Sequence, residues 1–381
     1  MKIGFFIDNF YPMVDGVVNV VDNYARRLSE KHEVIIFAPE ADDKNFRDDY
    51  PYKVIRCKKI QLLTTDYQLA IPKLDTKFMT KLKKIKLDIV HMHSPFSMGE
   101  VAINYAKKNN VPIFATLHSQ YKKDFDLRIK SEAISNILLK DVIGRFNKCD
   151  YVFAMNEDVS RVYIGYGLKK KPIILNNATD FNKSFDNEKL IKFKTEKKID
   201  SQKFNMLFVG RIDKIKNIEF TMNVMCDLKK QTNKFHMYFV GSGYDFEYFK
   251  LMIKKKKISD NVTMVGPVYD REKLKYWYRS SDLFVFPSLY DTNSLVQIEA
   301  SSQEVPTIFI KDSVTSNLIT NNQNGYIEEN NILKFSLRIK NIMENLDLNK
   351  TIGLNASNSI YIHWNQIVEK LESYYLGVKR K

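Results

Sequence analysis

At 381 residues, 44% hydrophobic and 13% aromatic, the chain is long enough for two cores of roughly 150–200 residues each. No apolar run approaches the roughly 18 residues of a membrane span, which excludes an integral helical membrane protein. The net charge of +15 speaks to partners more than to fold, and it is uneven: Lys53 to Lys171 hold 23 Lys and Arg against 11 Asp and Glu, whereas residues 1–50 hold 6 against 10.

The opening MKIGFFIDNFYP reads as a buried strand running into a turn, without the charged, apolar and cleavage regions of a signal peptide. Cys57, Cys149 and Cys226 show no CxxC or Cys/His spacing, so buried thiols in a reducing cytoplasm are expected. Short apolar runs then follow in order: KIGFFI, EVIIFAP, YKVIRC, LDIVHMH, VPIFATLH, DYVFAM and KPIILN, separated by amphipathic stretches such as VVNVVDNYARRLSE. Such alternation is the pattern of parallel strands with crossover helices. Between about 180 and 204 the strands stop in a polar, charged connection. A second series begins with NMLFVGRID, FHMYFVGSG, NVTMVGP, DLFVFPS, VPTIFIK and GYIEE. The expectation is an α/β protein of two tandem Rossmann-like domains, residues 1–185 and 186–355, facing across a cleft, with a helix over 356–381 returning to the first.

Ligands of open parallel sheets sit beyond the carboxyl ends of the strands, so chemistry is sought there. GRIDKIKN sets Arg211 after Gly210 and Lys216 five residues on, beside a helix start. This is a site for a diphosphate or, taken alone, two surface cations. VGSGYD adds Gly241, and PSLYDTNSLVQIEA places Asp291 and Glu299 around a strand end and a helical start.

The order GRIDKIKN, VGSG, VGPV, then YWYRSSDLFVFPS followed by two acids resembles the retaining GT-B glycosyltransferases of family 4. FFIDNFYPMVDGVVNVV, ATLHS and the closing YIHWNQIVEKLESYY extend the resemblance over almost the whole chain. It implies that Arg211 and Lys216 bind the donor diphosphate and neutralise the charge that grows on the leaving nucleotide, in place of a metal. It also implies that Glu299 holds the two ribose hydroxyls, a task for a carboxylate's two oxygens. Gly16 would stand in a turn near the donor phosphates, and Gly241 and Leu295 beside the donor. His118 would lie next to the reacting sugar, although a lone strand-end histidine is also a packing residue. Asp291 stands where the family has glutamate, roughly 1.5 Å shorter in reach. Thr292, Asn293 and Ser294 replace the family's glycine-phenylalanine-glycine, leaving donor geometry changed.

HMHSPFSMG and LHSQYKKDF resemble acceptor-side segments of bacterial diacylglycerol glucosyltransferases, which puts His93, Phe96 and Tyr121 on the acceptor side. His91 and His93 form no metal pair for want of a third ligand, and DFD at Asp124 to Asp126 is a chance acid pair. KLDTKFMTKLKKIKL spaces Leu74, Phe78, Leu82 and Ile85 helically among Lys81, Lys83 and Lys84. Such a helix either lies on an anionic membrane or packs on its own sheet. Nucleic-acid binding is excluded by the lack of an aromatic platform or zinc module.

The resemblance therefore implies a metal-independent, cofactor-free transferase that moves a hexose, glucose from UDP-glucose, to a lipid acceptor such as diacylglycerol. It would work as a peripheral protein at the inner face of the membrane. A polyprenyl-linked or surface-polysaccharide acceptor is an alternative, as is a non-catalytic partner subunit.

Overall fold

The computed structural model describes all of the chain except residues 14, 44, 62–67, 130, 290–294 and 379–381, and the side chains of 61, 68, 127, 128, 314 and 315. The described residues form two units, Met1–Asn177 with Trp364–Lys381, and Ala178–His363.

In the first unit the elements follow as β1 (Lys2–Phe6), α1 (Gly16–Leu28), β2 (Glu33–Pro39), β3 (Lys53–Cys57), the hairpin strands β4 (Lys59–Gln61) and β5 (Gln68–Ala70), and α2 (Thr76–Lys84). Then come β6 (Ile89–Met92), α3 (Ser97–Asn109), β7 (Ile113–Leu117), α4 (Tyr121–Arg128), α5 (Glu132–Phe146), β8 (Tyr151–Ala154), α6 (Glu157–Gly165) and the short β9 (Ile173–Ile174). The main sheet runs β3-β2-β1-β6-β7-β8-β9, parallel throughout. Its strand order reverses between β1 and β6, which opens a ligand crevice at their carboxyl ends. The central strands read as unbroken apolar runs because helices cover both faces, and Phe5, Phe6, Val90, Phe114 and Phe153 are fully buried.

The second unit holds α7 (Asn187–Glu196), β10 (Phe204–Val209), α8 (Ile218–Lys229), β11 (Phe235–Val240), α9 (Phe246–Lys255), β12 (Val262–Gly266) and α10 (Arg271–Arg279). It continues with β13 (Leu283–Phe286), α11 (Leu295–Ser302), β14 (Thr307–Ile310), β15 (Tyr326–Glu328), α12 (Ile332–Met343) and α13 (Leu346–Ser359). Its parallel sheet runs β12-β11-β10-β13-β14-β15, so the switch falls between β10 and β13. The last helix, α14 (Trp364–Gly377), belongs to the first unit. There Trp364 meets Tyr24 edge to face at 5.6 Å, and Glu372 takes Lys31 at 3.1 Å and His32 at 2.8 Å.

The units divide earlier and later than composition alone implied, at Asn177–Ala178 and His363–Trp364 rather than after 185 and 355. The polar connection is not a linker: Phe181, Leu190, Phe193 and Ile199 are buried in the second unit's core, and α13 runs on to Ser359. The basic amphipathic segment is also settled by packing. Asp75 caps α2 through Phe78 N at 3.0 Å, and Phe78 and Leu82 are buried in the first core. Its apolar stripe is therefore consumed inside, and Lys81, Lys83 and Lys84 form a solvated outer face with only Leu74, 76% exposed, left apolar.

Candidate active site

In the second unit the loops after β10, β11 and β12 are tied together by their backbones. Gly210 N donates to Val240 O at 3.0 Å, Gly241 N to Gly266 O at 2.9 Å, and Ile212 N to Ser242 O at 2.9 Å. Gly241 has φ +142, and a Cβ there would lie 1.9 Å from Gly210 O, so glycine is required for this close approach. On the resulting ledge Arg211, half of its side chain exposed, is held by Asp213 through Nε at 3.1 Å. Lys216 ends a short 3₁₀ turn, Lys214–Lys216, that precedes α8 and is separated from it by left-handed Asn217. Asn217 Nδ2 reaches Pro287 O at 3.4 Å, joining this cationic ledge to the end of β13 across the switch point.

Beyond β13 the chain enters α11, where Glu299 is 6% exposed. Arg271 Nη2 donates to its Oε1 at 2.8 Å and the Tyr278 hydroxyl donates to its Oε2 at 2.8 Å. Arg271 also clasps Asp180 and lies 4.2 Å over the Phe181 ring. Burial works against the Arg271 cation, but Glu299 and Asp180 outweigh it and its pKa rises; burial and Glu299 together push Tyr278 well above the usual phenol range. Each Glu299 oxygen thus accepts one internal bond and keeps acceptor capacity for a further donor. Arg271, Tyr278 and Asp180 escaped the sequence reading. They lie 28, 21 and 119 positions from Glu299 in a chain where nothing marks them beyond residue type.

In the first unit three imidazoles gather at the carboxyl ends of β6 and β7. His91 stacks on His93 with centroids 4.1 Å apart, and His93 on His118 at 5.3 Å. His93 Nδ1 and His118 Nε2 lie 3.0 Å apart and share one hydrogen. His91 is bound to Thr116 Oγ1 at 2.8 Å and to the Tyr375 hydroxyl of α14. Burial pushes His118 down to about 3, and burial with the neighbouring imidazoles holds His91 and His93 well below the usual range, so all three are neutral near pH 7. Beside them Asp8, past the end of β1, accepts from Met98 N at 3.0 Å at the start of α3, while burial pushes its carboxyl up to about 7. Phe96 and Tyr121 meet edge to face at 5.5 Å.

Gly16 begins α1, with Asp15 capping Val18 N at 2.8 Å. A Cβ at Gly16 would meet nothing within 4 Å, so the glycine leaves an open approach to the first-turn amides. Leu295 is the half-buried first residue of α11. Asp291, Thr292, Asn293 and Ser294 lie outside the described residues. Asp126 of the DFD run is engaged by Lys122 and by Ser135 at 2.6 Å. Among the described residues no three His, Cys, Asp or Glu side chains group to hold a metal ion, and the three cysteines are free thiols, Cys57 and Cys149 buried and Cys226 half-buried.

Two parallel doubly wound units in tandem, the second with cations and a buried carboxylate at its switch point, define the architecture of a GT-B glycosyltransferase. Anabaena Alr3699/HepE, solved in complex with UDP and glucose, superposes with a TM-score of 0.80 at 16% identity, over 99% of this chain and 100% of that one. Residues 14–183 match the Glycosyltransferase Family 4 domain and residues 191–359 the Glycosyl transferases group 1 domain. The chain belongs to this glycosyltransferase family. The α-monoglucosyldiacylglycerol synthase of Acholeplasma laidlawii is 25% identical over 405 residues, covering 99% of this chain and 97% of that protein. The synthase of the same name from Streptococcus pneumoniae is 24% identical over 331 residues, covering 85% and 74%.

Proposed function

We propose that the protein is a retaining, metal-independent glucosyltransferase that moves glucose from UDP-glucose to a diacylglycerol-type lipid, working as a peripheral protein at the inner face of the membrane. The observation that carries the proposal is the Glu299 carboxylate, fixed on both oxygens by Arg271 and Tyr278 at the switch point that also presents Arg211 and Lys216. Such a carboxylate suits a vicinal ribose diol, and the cations suit the diphosphate next to it. The lipid acceptor is supported by the end-to-end similarity to glucosyldiacylglycerol synthases.

In this scheme Arg211 and Lys216 stabilise the charge that develops as the bond from the anomeric carbon to the phosphate oxygen breaks. The acceptor hydroxyl bonds to the same face of that carbon and passes its proton to the departing phosphate. Asp291, Thr292, Asn293, Ser294 and Leu295 serve the donor side, with Gly241 shaping the ledge and Gly16 keeping the α1 amides open to phosphate. His118, neutral and linked to His93, offers a hydrogen bond to the sugar without adding charge. Phe96 and Tyr121 form an apolar wall for the acceptor.

The test is incubation with UDP-glucose and dioleoylglycerol in mixed micelles containing EDTA, with the product identified by mass spectrometry and its anomeric configuration by NMR. The expected product is an α-linked glucosyldiacylglycerol. A β-linked product, dependence on a divalent ion, or no transfer from any nucleotide sugar to lipid would sink the proposal.

A further inference from the structure

With Phe78 and Leu82 of α2 buried in the core, a second apolar surface for membrane contact is sought, and among the described residues of the first unit α5 offers one of helical spacing. α5 reads EAISNILLKDVIGRF and carries apolar residues on its outer as well as its inner side, between polar rows of Glu132, Asn136 and Lys140 and of Asp141 and Arg145. Its inner face, Ser135, Leu139, Val142, Ile143 and Phe146, is buried. Its outer face leaves Ile134, Ile137 and Leu138 exposed to 51%, 67% and 38%. Positions i, i+3 and i+4 make one contiguous patch. Three branched aliphatics at this spacing are more than the scattered singles of an ordinary surface.

The charge around the patch is cationic. Asp141 is neutralised by Arg145 at 2.9 Å, Asp126 by Lys122 at 2.6 Å, and Asp158 by Arg161. Lys140 and Lys148 are exposed on and just beyond α5; the remaining acids are Glu132 at its start, Asp150 past its end, and Asp124 and Glu157 on α4 and α6, so over residues 121–171 the basic residues outnumber the acidic ones. The end of α5 is tied to the turn after α6, since Asn147 Nδ2 donates to Gly167 O at 3.1 Å and Lys169 N to Asn147 Oδ1 at 2.8 Å. That tie brings exposed Lys169 and Lys171 to the same end. α5 is also fastened to the aromatic pair: Arg145 Nη1 donates to Pro95 O and Phe96 O, both at 2.8 Å, and the Phe146 ring lies 6.3 Å from Tyr121.

We propose that the outer face of α5 docks on an anionic lipid bilayer, with Ile134, Ile137 and Leu138 entering the acyl boundary and Lys140, Lys148, Lys169 and Lys171 at headgroup level. An apolar patch ringed by lysines suits anionic lipid, because the lysines gain from the surface potential while the aliphatics leave water. The Arg145 and Tyr121 contacts then anchor the docked helix directly to the acceptor wall. The inference rests on the lipid-acceptor reading, deepening it by naming the surface that meets the membrane.

The test is co-sedimentation of the full chain with vesicles of phosphatidylcholine, with and without phosphatidylglycerol, in the absence of nucleotide sugar, so that its outcome is independent of any turnover assay. The wild type is expected to bind the anionic vesicles and to be released by high salt. Ile134→Ser with Ile137→Ser should weaken binding about tenfold or more, and Lys148→Gln with Lys169→Gln about fivefold per lysine. The thermal midpoint should be unchanged, since all four positions are already exposed. Binding of the serine variant equal to wild type would overturn the proposal. So would its loss in Lys81→Gln/Lys83→Gln/Lys84→Gln alone, or a wild-type dimer that the serine variant splits while vesicle binding stays intact.

Discussion

At the carboxyl ends of β6 and β7 three neutral imidazoles stand stacked beside an acid, Asp8, whose charge is suppressed. At the carboxyl ends of β10 and β13 the groups are charged, and each has its counter-charge in place: Arg211 on Asp213, Glu299 on Arg271. Both regions occupy the switch point of the same kind of sheet. In the proposed function the second meets the donor diphosphate, whose growing charge fixed cations stabilise. In the same proposal the first meets uncharged hydroxyls, where an added buried charge would cost desolvation. The fold supplies the place, and the titration state of a few side chains separates the two tasks.

The largest blow to this contrast falls on the charged end. Arg211→Ala should lower kcat by about 10²–10³ with little change in stability, because the lost interaction grows as the phosphate departs; steady-state kinetics would show it, and an unchanged kcat would make Arg211 a surface cation. Gly241→Ala should cost about 2–4 kcal/mol in urea unfolding, since the new methyl meets Gly210 O. A mild effect would mean that the ledge is pliable.

The neutral end should reveal itself through pH. A histidine whose folded pKa is depressed stabilises the fold above its unfolded value near 6.5 and loses that contribution as pH falls toward the folded value. For His118, about 3 when folded, the loss is about 1.4 kcal/mol at pH 5.5. Asp8 also costs stability, but in the opposite sense: with its folded value raised to about 7 from an unfolded value near 3.9, the cost builds as pH rises from about 4 to 7, is complete above 7 and is relieved as pH falls back toward 4. Calorimetric melting from pH 8 to 5 should show Asp8→Asn gaining most over wild type at pH 8 and His118→Asn losing less than wild type toward pH 5. Parallel curves would refute the assignment of charge states.

Much of this was legible before the structure. The strands from KIGFFI to GYIEE fall where the apolar runs stood, because a doubly covered parallel sheet demands such runs. Arg211, Lys216 and Glu299 could be singled out in the sequence as polar residues following apolar runs, and the structure places the first two after β10 and Glu299 in the helix after β13. The partners of Glu299 could not: Arg271 and Tyr278 reach it from 28 and 21 positions away, and in the first unit Tyr375 reaches His91 from 284. For α2 the helical period was readable, but not that Phe78 and Leu82 point into the core, since the same stripe serves a membrane or a sheet equally well. The exposed aliphatics of α5 look like core residues in sequence, and only folding shows which of them stay in water.

The central claim, that Glu299 is a carboxylate set in advance for the donor's ribose, is tested most directly by calorimetric titration with UDP in EDTA of wild type, Glu299→Gln and Arg271→Ala. Wild type should bind. Glu299→Gln, isosteric but uncharged, should bind about tenfold to a hundredfold more weakly, as expected for losing one or two charge-assisted hydrogen bonds. Arg271→Ala should fall between them, because it removes the support and spares the clamp. UDP bound as tightly by Glu299→Gln as by wild type would contradict the account.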